Sequence, residues 1–72
     1  MLKISKNEFI NPTHVSSVER KGELKSLITM ESGIQHVADF PLEIMVKRIQ
    51  DASSGIKEIL KNIDLNTQSV KL

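Results

Sequence analysis

The chain has 72 residues, no cysteine, two phenylalanines as its only aromatic side chains, and a formal net charge of +1. At this length it forms one domain with a small core, burying about 60% of the unfolded surface. The composition excludes a disulfide framework and thiolate metal sites, and oligomerisation is the remaining common route to added stability.

The basic residues are scattered from Lys3 to Lys71 and interspersed with acids. They do not form the concentrated positive field of a nucleic-acid surface, and two phenylalanines are too few for base-stacking platforms. Nucleic acid is therefore not an expected partner. Residues 1–10 lack a long apolar run, so no signal peptide is expected. No segment approaches the roughly 20 apolar residues of a membrane span. The expectation is a soluble, cytoplasmic protein.

Leu2 and Ile4 alternate with Lys3 and Ser5, the period of a half-buried strand. Phe9 and Ile10 continue this as a first hairpin or a bulged edge strand. Asn11-Pro12 ends the run, because Pro12 cannot donate to a ladder. Asn11 suits a helical cap and Pro12 a first helical position, so a single turn is predicted there. Val15 then closes the turn over the core, and Val18 points inward from the next strand.

Lys21-Gly22-Glu23 reads as a hairpin turn, with Gly22 free to adopt positive φ. Residues 24–30 form the clearest strand, with Ile28 and Met30 on one face and Leu27 and Thr29 on the other. Glu31-Ser32-Gly33 is a second tight turn. Residues 34–38 return, with Ile34 and His36 on one face and Gln35 and Val37 on the other. Both sheet faces thus carry apolar side chains, and one helix covers only one of them.

A helix starts near Pro41, with Glu43 placed to complement the helix dipole. Leu42, Met45, Val46 and Ile49 make one apolar stripe, while Lys47, Arg48 and Asp51 face away. Residues 52–55 break or kink the pattern, but Gly55 costs only about 1 kcal/mol in a helix, so one kinked helix and two helices both stand. Ile56, Ile59, Leu60 and Ile63 make a second stripe, on a kinked continuation or on a second short helix. The fold class is α+β: a small antiparallel sheet of three to five strands packed by this C-terminal amphipathic helix. Residues 1–63 form the domain and residues 64–72 a polar tail. The predicted core is Val18, Ile28, Ile34, Met45 and Ile49.

Catalytic patterns are sparse. His14, His36 and a carboxylate such as Glu19 are the available metal-ligand types, but no HExxH-like spacing links them, so no metal is expected. None of Ser16, Ser17, Ser32, Ser53 and Ser54 sits in a GxSxG elbow. Ser54-Gly55 beside a helix start suits an anion, yet no Gly-rich run ending in Lys and Ser/Thr makes it a P-loop. The chain reads as a non-enzyme without a cofactor.

Phe9, Asn11-Pro12, Val15, Val18-Glu19, Ile28-Thr29-Met30, Ser32-Gly33 and the helix over 42–49 together resemble the small FlbD-type (SwrD) flagellar proteins of bacteria. The resemblance covers roughly the first 50 residues and implies an accessory role in motility without catalytic residues. It departs where this chain has Ser-Gly in place of Asn-Gly, lacks an early Asn-Gly-Lys hairpin and extends further C-terminally.

Two functions compete. The first is an oligomeric interaction module or regulator of bacterial or phage origin, with a protein partner. Its interface residues are Leu27, Val37, Ile56, Ile59, Leu60 and Ile63. The second is an oligomeric accessory protein that binds or sequesters a nucleotide-like small molecule. Lys47, Arg48, Lys57 and Ser54 are the candidate polar contacts.

Overall fold

The computed structural model describes residues 1–53 and 66–72. Ser54, Lys57, the second apolar stripe of Ile56, Ile59, Leu60 and Ile63, and the kink expected at Gly55 lie outside the described residues.

The Asn11 side chain begins the first turn as its residue type predicts. Its Oδ1 accepts from the Thr13 amide at 3.1 Å and from Thr13 Oγ1 at 2.8 Å. Pro12 opens a short 3-10 turn, Pro12–His14, where a missing amide costs nothing. Before it, β1 (Leu2–Lys3) and β2 (Phe9–Ile10) pair antiparallel, with Leu2 opposite Ile10. After it come β3 (Val15–Arg20), β4 (Ser26–Met30) and β5 (Gln35–Ala38), then α1 (Leu42–Ser53) and β6 (Ser69–Lys71). The second sheet has four strands in the order β5-β4-β3-β6, antiparallel at every step. The fold is α+β, with two small antiparallel sheets and one described helix.

β6 is a departure from the sequence expectation. Residues 64–72 read as a polar tail, yet Val70 pairs with Val18 and is only 7% exposed. Backbone pairing to β3 and one buried side chain hold a segment whose own composition is polar.

The β4–β5 turn explains a second departure. Gly33 adopts φ +95°, its amide donates to the Met30 carbonyl at 2.9 Å, and the Met30 amide donates to the Ile34 carbonyl at 2.8 Å. This is a type I turn closed by a glycine bulge, the common three-residue hairpin loop. Ile34 sits in the bulge rather than in the regular ladder. It keeps the inward sense of His36 and Ala38 but is 60% exposed and lies outside the buried cluster. Ile34 is therefore not a core residue. Leu24, read as the start of a strand, is also exposed, because Lys21 and Lys25 close the preceding turn through their backbones and β4 starts at Ser26.

The core lies between the inner sheet face and α1. Val18, Ile28, Ala38 and Val70 meet Leu42, Met45, Val46 and Ile49, and Ile4 and Ile10 of the N-terminal hairpin close the layer. The four helix residues follow the predicted stripe. Ser26 is buried within this layer and donates its hydroxyl to the Phe40 carbonyl at 2.6 Å, so its polarity is satisfied. On the outer face Leu27 pairs with Val37, and the strand neighbours of Leu27 on either side are Glu19 and Val37. Leu27 and Val37, two of the six residues expected at an interface, are thus adjacent on the face away from α1. No described helix is long and apolar enough to cross a membrane.

Candidate functional site

Ile34 lies outside the buried cluster, and it lines a groove with its neighbours at the β4–β5 turn and the N-terminal hairpin. The N-terminal hairpin supplies Met1, Phe9 and Ile10 to one wall. The end of β4 supplies Met30, and the start of β5 supplies Ile34 and His36. The cavity holds about 360 Å³. Its walls are largely apolar and open to solvent, with Phe9 55% and Met1 85% exposed. Lys3 Nζ lies 6.0 Å from the centre of the Phe9 ring, a long cation–π contact.

Two imidazole–carboxylate pairs stand at this groove. His14 Nδ1 lies 3.2 Å from Glu31 Oε1, joining the 3-10 turn to the β4–β5 turn. His36 Nδ1 lies 3.2 Å from Glu8 Oε2, joining β5 to the first hairpin. Each ring nitrogen donates, because a carboxylate only accepts. The pairs tie together the two walls, which are distant in sequence. Each histidine has its own carboxylate, and Glu19 lies on β3 away from both. Among the described residues no three His, Cys, Asp or Glu side chains converge as a metal site would require.

The basic pair singled out from the sequence lies elsewhere, on α1. Lys47 Nζ is 3.8 Å from Asp51 Oδ2, one helical turn on. The Arg48 guanidinium lies 4.3 Å from the centre of the Phe40 ring. Both cations already have partners on the protein, and the structure does not bring them to the groove lining. Ser54 and Lys57, their expected companions, are outside the described residues.

The strongest electrostatic link is structural. Arg20, on the inner side of β3, sends Nη2 to Glu43 Oε2 at 2.6 Å and Nη1 to Oε1 at 3.2 Å. Its Nε donates to the Thr67 carbonyl at 2.7 Å. One guanidinium thus joins β3, the first turn of α1 and the approach to β6. The Arg20 hydrogen bond holds the Glu43 carboxyl below its ordinary range.

The groove was not legible as a site in the sequence. Its lining comes from residues 1–14 and 30–36, and no spacing rule connects them. The available signal was Ile34, a large apolar residue directly after a turn glycine.

Comparisons with protein-family models, curated proteins and solved structures find no match to this chain.

Proposed function

We propose that this protein is a small non-enzymatic interaction module that self-associates and takes a protein partner's apolar side chains into the Phe9–Ile34 groove. The observation that carries the reading is the exposure of Ile34 and Phe9 side by side in a concave, partly walled cleft. Clustered exposed apolar side chains mark interaction surfaces, whereas scattered ones do not. The two imidazole–carboxylate pairs give the cleft a polar rim of the kind that orients a partner. The resemblance to FlbD-type proteins supports a bacterial or phage accessory role connected with motility, in the cytoplasm.

The alternative is an assembly that binds or sequesters a nucleotide-like small molecule. The groove volume favours it, because about 300–1,000 Å³ is usual for small-ligand pockets.

Native mass spectrometry of the freshly purified full chain separates the two readings, an added polypeptide mass supporting the first and an added small mass the second. The follow-up is Ile34→Ser, which alters an exposed residue and should leave the fold intact. Loss of the added mass in this variant places the binding in the groove. Retention of the same mass would show that the groove is not the binding surface.

A further inference from the structure

The groove between the N-terminal hairpin and the β4–β5 turn carries a one-sided set of polar groups. His14 and His36 line it as imidazoles and Glu31 as a carboxylate. Each imidazole donates Nδ1–H to a carboxylate, His14 to Glu31 and His36 to Glu8, both at 3.2 Å. In the neutral ring Nε2 is then a lone pair, and it accepts. Each carboxylate uses one oxygen in its pair, Oε1 of Glu31 and Oε2 of Glu8, and keeps acceptor capacity on the other. The Glu31 side chain is 63% exposed and that of Glu8 51%, so an incoming donor reaches both. Asn11 and Ser32 also line the groove and add no charge.

Two cations belong to the same region, the Met1 amino group and Lys3. Met1 is 85% exposed, and Lys3 approaches only the Phe9 ring, with Nζ 6.0 Å from its centre. Both are solvated, whereas the two carboxylates are held in place by imidazoles of the lining.

We propose that the apolar side chain taken into this groove is flanked by lysine or arginine, so that the partner is a basic–apolar polypeptide segment. The inference rests on the groove reading proposed above and names the chemistry of the partner. Phe9, Met30 and Ile34 accept a large aliphatic side chain but carry no charge to select one. Selection falls to the rim. Among the described residues no three His, Cys, Asp or Glu side chains converge, so the two pairs stand at separate points of that rim. Glu31 lies on the β4–β5 turn and Glu8 directly before β2. A segment that crosses the groove passes both, and a cation on either side of its apolar anchor meets one carboxylate each. Lysine and arginine bring donors only, and this rim offers acceptors. An anionic occupant meets the opposite conditions. A phosphate brings further acceptors and like charge to the carboxylates, so the groove volume admits a nucleotide-like ligand but its rim repels one.

Two peptides of opposite charge test this on the full chain: acetyl-Lys-Ala-Leu-Ala-Lys-amide and acetyl-Glu-Ala-Leu-Ala-Glu-amide. The backbone amide shifts of Phe9 and Ile34, followed by NMR, report occupancy of the groove. The lysine peptide should bind at least about tenfold more tightly, because attraction replaces repulsion at two exposed sites. The gap should shrink in about 0.5 M NaCl, which screens exposed charges. Glu8→Gln combined with Glu31→Gln should bring the two affinities together, since glutamine keeps an acceptor for each imidazole and loses the charge. If that variant fails to fold, the salt series on the unmodified chain decides. Ile34→Ser should weaken both peptides, and inorganic pyrophosphate should leave the Phe9 and Ile34 amides unshifted. Equal affinity of the two peptides, or a preference for the glutamate peptide, overturns the cationic partner while leaving the groove as the site of apolar capture. Pyrophosphate binding at these amides also overturns it. No shift at Phe9 and Ile34 from either peptide up to about 10 mM overturns the groove reading as well.

Discussion

The guanidinium of Arg20 and the carboxylate of Glu43 form a two-pronged ion pair between a central strand and the first turn of the helix, with Nη2 2.6 Å from Oε2. The Arg20 side chain is 14% exposed and that of Glu43 36%. The pair is therefore shielded on one side and wet on the other. A double-mutant cycle with Arg20→Met and Glu43→Gln should give a coupling of about 1 kcal/mol, at the upper end of the range for exposed pairs. The sign with pH follows from the lowered Glu43 pKa. Its contribution is fully present above the unfolded value and is lost as pH falls through the lower folded value. Urea unfolding across pH 3–6 should show this acid-limb loss in the natural chain and less of it in Glu43→Gln.

Three isoleucines that look alike in sequence should respond differently to truncation. Ile28 and Ile49 are buried to 0% and 1% exposure, and each →Ala change should cost about 2–5 kcal/mol. Ile34 is exposed, and Ile34→Ala should stay within about 0.5 kcal/mol. Denaturant midpoints of the three variants check this ordering. An Ile34 cost equal to that of Ile28 would return Ile34 to the core.

That contrast shows what the sequence carried. Val18, Ile28, Met45 and Ile49 are placed by period alone, two along strands and 3.6 along the helix, and all four are buried. Asn11-Pro12 announced the 3-10 turn through its capping chemistry. Ile34 was misplaced because strand alternation gives the face a side chain takes, which it shares with His36 and Ala38, but not whether anything covers that end of the strand, and Ile34 is 60% exposed. Val70 was missed because a three-residue strand with one apolar side chain has no period to detect. Its place is decided by β3, about fifty residues earlier in the chain. The groove was missed for the same reason, since two segments make it and neither signals the other.

Val70 therefore gives a prediction about the end of the chain. It is buried against Val18, and the Leu72 amide donates to the Ser16 carbonyl at 2.9 Å. Val70→Ala should cost about 1–2 kcal/mol in transfer and cavity terms. Deleting residues 69–72 should cost more, because the backbone pairs with β3 are lost as well. Thermal unfolding of the two variants should rank them in that order. A truncated chain as stable as the full one would mean that β6 contributes nothing to the fold.

Gly33 is required by conformation rather than by space. Its φ of +95° lies in the left-handed region, and a Cβ added there meets nothing within 4 Å. Gly33→Ala should cost about 1–2 kcal/mol through backbone strain alone. Gly33→Asn should recover part of this, because asparagine tolerates positive φ better. Equal stability of the alanine and asparagine variants would argue against the bulge as the source of the cost.

Lys47 and Arg48 separate the two ligand classes. Lys47→Glu places a second carboxylate one turn from Asp51, a cost of a few tenths of a kcal/mol, about 0.3, on an exposed helix face. Arg48→Glu removes the guanidinium from the Phe40 ring, about 0.5–1 kcal/mol. The double reversal should therefore stay folded, with a modestly lower denaturant midpoint. Capture of apolar side chains by the Phe9–Ile34 groove should survive it, because neither residue lines that groove. An anionic, nucleotide-like ligand held by the helix cations should bind at least tenfold more weakly to the reversed protein. Calorimetric titration of ATP into both proteins measures this: wild-type binding that the reversal abolishes supports the ligand reading, and equal heats from both remove Lys47 and Arg48 from any anion site.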